Sequence, residues 1–297
     1  MDGMFDFAKT WQLITALPSV QTALIAAAVL GLVAGILGPL IVMRRMSFAV
    51  HGTSELAFTG AAGALLIGVG VEYGALAGAV AAALLLGILG TRDADRDSVI
   101  GVILSFGLGM GVLLLSFYKG RSANKFGILT GQIITVDSTN LTALVISAAA
   151  VLLVLACVYR PLLFASVDRN VAVARGVPVK TLTVVFALLV GVSTALSVQI
   201  VGSLLVVALM VTPAAAAARV TASPLRATVL SVVFAEVAAL GGIILSLAPG
   251  KPVSAFVTAI SFLIYLVCRV IAWARDRRTG VRSSPADTVE TAPVPVG

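Results

Sequence analysis

Charge is what this 297-residue sequence has least of: 11% of its residues are Asp, Glu, Lys or Arg, where a water-soluble domain carries roughly 25%. With 60% of the residues apolar, too little polar surface exists to cover a globule in water, so a single soluble domain is excluded. Histidine occurs once, as His51, and cysteine twice, as Cys157 and Cys268. Each cysteine lies in an apolar run with no second Cys or His beside it. A disulfide framework and a Cys/His metal site are therefore excluded, and both read as small core hydrophobes. No GxxxxGK[ST] phosphate loop, HExxH, CxxC or Ser/His/Asp constellation occurs, so no catalytic machinery is visible. Period-2 alternation is missing, which excludes an outer-membrane β-barrel, and residues 1–20 do not read as a cleavable signal peptide. What remains is an all-α, polytopic bundle of transmembrane helices.

What is present is a series of apolar runs near the 20 residues that a span requires. They cover 23–43, 56–71, 73–91, 98–118 and 138–159, then 181–218, 228–248 and 252–272. The run from Thr181 to Ala218 has no charge, and as one helix it would measure about 57 Å against a hydrocarbon core of about 30 Å. It must be two elements, with the turn at Gln199-Ile200-Val201-Gly202-Ser203. Nine apolar elements follow, or eight if one is short or re-entrant. Residues 1–19 read as an N-terminal extracytoplasmic segment and 20–275 as the membrane domain. Residues 276–297, rich in Pro, Ser, Thr and charge, read as a disordered cytoplasmic tail.

The formal net charge of +7 would in a soluble protein raise the question of nucleic acid. Here the cations lie in short loops between spans, where they set topology instead. With the N-terminus outside, all but Lys9, Lys119, Arg121, Lys125 and Lys251 of the 20 Lys and Arg fall on the inner side. The pattern predicts a multi-pass protein of a cell membrane, in contact with lipid and not with nucleic acid.

Polar groups inside spans are costly unless paired or wet, so each is a candidate for function. His51 and Glu55 stand at i and i+4, one face of a helix, roughly 6 Å apart at Cβ. An imidazole nitrogen and a carboxylate oxygen so placed can jointly ligate a divalent first-row ion such as zinc or manganese; the bland alternative is an interfacial His–Glu pair without metal. Glu236, in the middle of its run, faces either a polar cavity or a buried structural partner. Ser54, Met210 and Thr212 are weaker candidates for the lining of a pathway, and Pro213 marks a kink. Asp137 and Gln199 read as a cap, loop or packing positions. Between two spans, Asp168 to Pro178 reads as a short capped helix, with Asp168 as N-cap and Gly176 at the C-terminal end. Such a helix serves either as a docking knob or as a connector. The dense small residues Gly60, Ala64, Gly74, Gly78, Gly107, Gly109 and Gly111 predict close helix packing.

Three of these stretches together resemble the permease subunits of bacterial ABC importers for zinc, manganese and iron. Arg44-Arg45-Met46-Ser47-Phe48 through Ser54-Glu55-Leu56-Ala57 resembles the family's R-x-M-S-x-x-G-D-x-x-S-H-A segment. Asp168 through Gly176 resembles its D-x-x-x-A-x-x-x-G segment, and Gly202 through Ala215 its G-x-L-L-x-x-A-L-L-x-x-P-A-A helix. The resemblance spans roughly residues 20–275. Where the family has Asp this chain has His51, and where it has His this chain has Glu55, so one imidazole and one carboxylate are kept in swapped order. The resemblance implies a type II importer permease that pairs as a homodimer, receives a divalent metal ion (zinc or manganese) from an extracytoplasmic metal-binding protein, and holds no permanent cofactor. It further implies a separate cytoplasmic ABC ATPase docked at 168–178 through Asp168, Ala172 and Gly176, with His51 and Glu55 holding the ion in transit. The rival reading is a proton- or sodium-coupled carrier in which Glu236 is the coupling site.

Overall fold

The computed structural model describes residues 7–89, 93–119, 138–202, 206–247, 249 and 252–278. Asp137, Ser203 and the tail beyond 278 lie outside the described residues, and of Gln199 only the backbone is described. The described residues form helices and no strands, as the absence of period-2 alternation requires. In chain order these are α1 (Phe7–Ala16), α2 (Pro18–Met43), α3 (Ser47–Ile67), α4 (Val71–Leu89), α5 (Asp93–Phe117) and α6 (Ser138–Val167). They are followed by α7 (Arg169–Ala174), α8 (Val179–Val201), α9 (Val206–Met210), α10 (Thr212–Val220), α11 (Pro224–Leu247) and α12 (Val253–Arg278).

Six of these helices are long and apolar enough to cross a membrane: α2, α5, α6, α8, α11 and α12. Shorter apolar helices at Val71–Leu86 and Val206–Val220 add to them. α3, at 21 residues, has the length of a span but not the apolarity, because His51, Thr53, Ser54, Glu55 and Thr59 interrupt it. The polar stretch expected to precede the second span is thus part of the span helix itself. α3 tolerates this because it is wrapped: it packs chiefly against α4 and α5, with α8 on a third side.

The uncharged run from 181 to 218 is cut into three pieces where the sequence suggested two. α8 ends at Val201, and Gly202 follows with φ +86°. A second break falls at Val211, between α9 and α10, where Pro213 in the first turn of α10 has no N–H to continue the ladder from α9.

Burial sorts the helices into a centre and a periphery. The apolar windows of α2 and α8 are each 67% buried, that of α12 only 17%, so α2 and α8 form the core while α5, α6 and α12 turn apolar side chains such as Phe106, Leu153 and Phe262 outward. In water such a surface would drive aggregation, whereas against lipid tails or a second copy it costs nothing. Close packing at the centre rests on small residues. A Cβ on Gly60 or on Gly74 would run into the other's backbone carbonyl across the α3–α4 contact. Gly74→Val is accordingly expected to reduce the amount of folded protein in the membrane, at a cost of about 1–3 kcal/mol, checked by thermal melting of the detergent-purified chain. Gly109 behaves differently: nothing lies within 4 Å of where its Cβ would be, so it faces outward.

At one end of the bundle, Arg275 of α12 donates to the Val220 carbonyl that closes α10 (3.1 Å). Arg277 stacks on Trp273 one turn earlier in α12, 3.7 Å from the ring centroid, an arrangement suited to the headgroup level.

Candidate functional site

His51 and Glu55 lie in the first half of α3, on the face expected from their spacing. His51 is half-buried and Glu55 is 1% exposed. Cover over Glu55 comes from α5: a Cβ on Gly107 would lie 3.1 Å from the Glu55 Cβ, and the neighbouring Gly52 faces Ile100 and Ile103. Helix hydroxyls around the pair are already engaged. Thr53 donates to the Ala49 carbonyl (2.7 Å), Ser54 to the His51 carbonyl (2.7 Å), and Thr59 to the Glu55 carbonyl (2.9 Å) and to the Gly107 carbonyl of α5.

Each of the two ionisable side chains leaves one buried atom unengaged. His51 Nδ1 and Glu55 Oε2 are buried and have no hydrogen-bond partner among the described residues. Buried polar atoms are paired as a rule, and leaving one unpaired costs about 1–3 kcal/mol, so two orphans one helical turn apart need an explanation. With the imidazole proton on Nε2 and the carboxyl ionised, both atoms carry free lone pairs, an arrangement that suits a species that accepts electrons. No group of three or more His, Cys, Asp or Glu converges among the described residues, so this chain alone offers an open donor set.

The other sequence candidates are placed as follows. Ser54 lies buried on α3 with its hydroxyl committed to the helix. Met210 ends α9, 1% exposed, and its Sδ accepts from the Thr194 hydroxyl of α8 at 3.8 Å. Thr212, half-buried, opens α10. α9 packs against α2, α10, α12 and α3 and touches α8 and α11, so the break after Met210 stands beside the helix that carries His51 and Glu55. Glu236 belongs elsewhere, to the contact of α11 with α2: a Cβ on Gly31 would come within 3.0 Å of its carboxylate. α11 packs on α2, α10 and α12, and no ion pair or hydrogen bond to Glu236 is found among the described residues.

α7 is capped at both ends as its sequence suggests. Asp168 accepts from the Val171 N–H (3.0 Å). At the other end Gly176 has φ +78°, and the N–H groups of Gly176 and Val177 return to the carbonyls of Val173 and Ala172. That is the double closure of a glycine-ended helix. Ala172 turns inward, fully buried against Ala165, Val177 and Val179. The outward face is made by Val171 and Val173, 44% and 58% exposed, with Val167 beside them.

Sequence reasoning missed the environment of Arg44, which it read for topology and as part of the family's R-x-M-S segment. Arg44 Nε donates to the Ser166 hydroxyl near the end of α6 (2.8 Å), and its guanidinium lies 5.2 Å from the ring centroid of Phe186 in α8. Nothing local in the sequence signals a contact across 122 residues.

Among the described residues, a helical membrane bundle with a broken helix beside a polar one, and a short capped helix between two spans, is the architecture of a membrane transport subunit. Residues 16–272 match the model of the ABC 3 transport family, and the chain belongs to that family. The manganese transport system membrane protein MntC of Listeria monocytogenes is 33% identical over 251 residues, covering 83% of this chain and 89% of its own. The manganese import system permease protein ScaB of Streptococcus parasanguinis is 30% identical over 253 residues, 85% of this chain and 90% of its own. Among solved structures, PsaBC from Streptococcus pneumoniae in complex with Fab superposes with a TM-score of 0.80 at 28% identity, covering 89% of this chain and 95% of the other. The fold, the multi-pass membrane location and the role as an ABC permease are those that the sequence implied. The carrier reading built on Glu236 is not favoured.

Proposed function

We propose that this permease imports a divalent first-row metal ion, manganese or zinc, and that His51 and Glu55 hold the ion in transit. The observation that carries the reading is the pair of orphaned, buried donor atoms one helical turn apart on α3, His51 Nδ1 and Glu55 Oε2. One imidazole and one carboxylate give affinity for such an ion without the closed four-ligand shell that would trap it. The manganese named for MntC and ScaB supports the same substrate class. Pairing as a homodimer would bring a second His51 and Glu55 to the ion, and an extracytoplasmic metal-binding protein would deliver it. Ser54, Met210 and Thr212 stand near this route, with Met210 and Thr212 flanking the break between α9 and α10.

The energy comes from a separate cytoplasmic ATPase that docks on α7, since the chain has no phosphate loop of its own. Asp168 and Gly176 hold α7 in shape, Ala172 seats it on the permease, and Val171 and Val173 meet the partner. The test is uptake of Mn²⁺ and Zn²⁺ into proteoliposomes that hold the permease with its ATPase. ATP-dependent uptake that survives collapse of proton and sodium gradients is expected. Uptake that needs a gradient and no ATP would overturn the reading.

The reading of 276–297 as a tail rests on the sequence, which there has Pro285, Pro293 and Pro295 and few large apolar side chains. Deleting 283–297 should therefore leave membrane insertion and uptake unchanged. Loss of uptake at normal membrane levels would assign the tail a regulatory contact.

A further inference from the structure

Arg44 caps α2 and is the first residue of the turn that leads into α3, and it is held by the helices on both sides of α7. Its Nε donates to Ser166 of α6 at 2.8 Å, and Ser166 in turn donates to the Leu162 carbonyl at 2.6 Å. Its guanidinium faces Phe186, a fully buried ring in α8. Ser166 is two residues ahead of the cap of α7, and α8 begins just after the glycine closure of α7. On the other side, the α2–α3 turn is stiff. Arg44, Arg45 and Met46 return their N–H groups to Leu40, Val42 and Ile41. Arg45 sits at φ +53°, a left-handed position where glycine is the usual residue, so the turn is held in shape against a local cost. A stiff turn moves as a unit with the helix it opens, and His51 and Glu55 lie in the next two turns of that helix.

We propose that Arg44 is a positioning residue that links α7 to the metal-holding pair: a displacement of the α6–α7–α8 corner is passed through Arg44 and the α2–α3 turn to His51 and Glu55. The inference rests on the docking of an ATPase at α7. A planar guanidinium can bond one helix through Nε and face an aromatic ring of another at once, which a lysine cannot reproduce.

The test uses the permease with its ATPase in proteoliposomes, with Mn²⁺ as the probe, and reads Mn²⁺ transported per ATP hydrolysed. Arg44→Gln should keep the ATPase bound and hydrolysing while transport per ATP falls by about 5- to 150-fold, the usual range of coupling between two sites. Ser166→Ala should fall in the same direction, Arg44→Lys should recover only part of the loss, and the Arg44→Gln/Ser166→Ala double variant should be no worse than Arg44→Gln. Unchanged transport per ATP in Arg44→Gln, or losses that add in the double variant, would overturn the proposal. If Arg44→Gln fails to accumulate, Ser166→Ala alone decides, by the same ratio. The docking reading fails separately: Val171→Asp with Val173→Asp would then still co-purify with an ATPase that responds to metal, whatever Arg44 does.

Discussion

His51→Ala and Glu55→Ala are each expected to abolish metal uptake at limiting metal while the protein remains folded in the membrane. Each removes one of two donors that the described chain leaves without another partner. Changing only a supporting neighbour of a metal ligand costs about 10- to 100-fold, so removing the ligand itself should reach at least about 100-fold. Folding should not suffer. His51 is half-buried, and its truncation and that of Glu55 each relieve an unsatisfied buried atom rather than create one. Glu55→Gln sharpens the test, since it keeps the shape and one acceptor but loses the charge; it should follow the alanine variant. Radiolabelled Mn²⁺ uptake, normalised to membrane level and accompanied by a melting curve, checks all three. Normal uptake by either alanine variant would remove His51 and Glu55 from the pathway.

The second large effect is expected at α7. Val171→Asp with Val173→Asp places two carboxylates on its exposed apolar face without touching the packing beneath. Charges in a desolvated interface without partners cost several kcal/mol, so co-purification of the ATPase and its stimulation should be lost. Gly176→Val acts on the same helix from within. A β-branched residue at φ +78° costs about 1–2 kcal/mol, enough to release the closure of a helix only six residues long. Ala172→Arg should also uncouple, but for a different reason: Ala172 is sealed against Ala165 and Val179, so the arginine displaces α7 from its seat. Retained ATPase binding and stimulation in the double aspartate variant would make α7 a connector.

Much of the fold was legible because transfer into a bilayer is close to additive along a helix. Uncharged runs near 20 residues mark spans wherever they occur, and α2, α5, α6, α11 and α12 fall where those runs lie. Caps are local as well, so Asp168 and Gly176 could be assigned to the ends of α7 from their types and spacing. The His51–Glu55 pair was legible for the same reason, since i and i+4 on a helix require no tertiary knowledge. α3 was harder. Its polar residues lower its hydropathy below that of a span, and only its enclosure by α4, α5 and α8 lets it lie within the bundle.

The amino-acid sequence by itself determined the class: a helical membrane bundle, with one His–Glu pair on one helix face and one capped helix between spans. Tertiary structure alone decided which of those polar atoms remain unpartnered and which face of α7 is free to meet another protein. Ala172 and Val171 are adjacent and both small and apolar, yet one is sealed and the other open, because Ala165 and Val179 arrive from other helices. Arg44 shows the limit most clearly. Its charge and place in a loop are sequence properties, but its bond to Ser166 spans 122 residues and exists only because the ends of α2 and α6 meet beside the N-terminal part of α8. Hydropathy and capping depend on neighbours within a turn or two, whereas a contact between distant helices depends on the packing of the whole bundle.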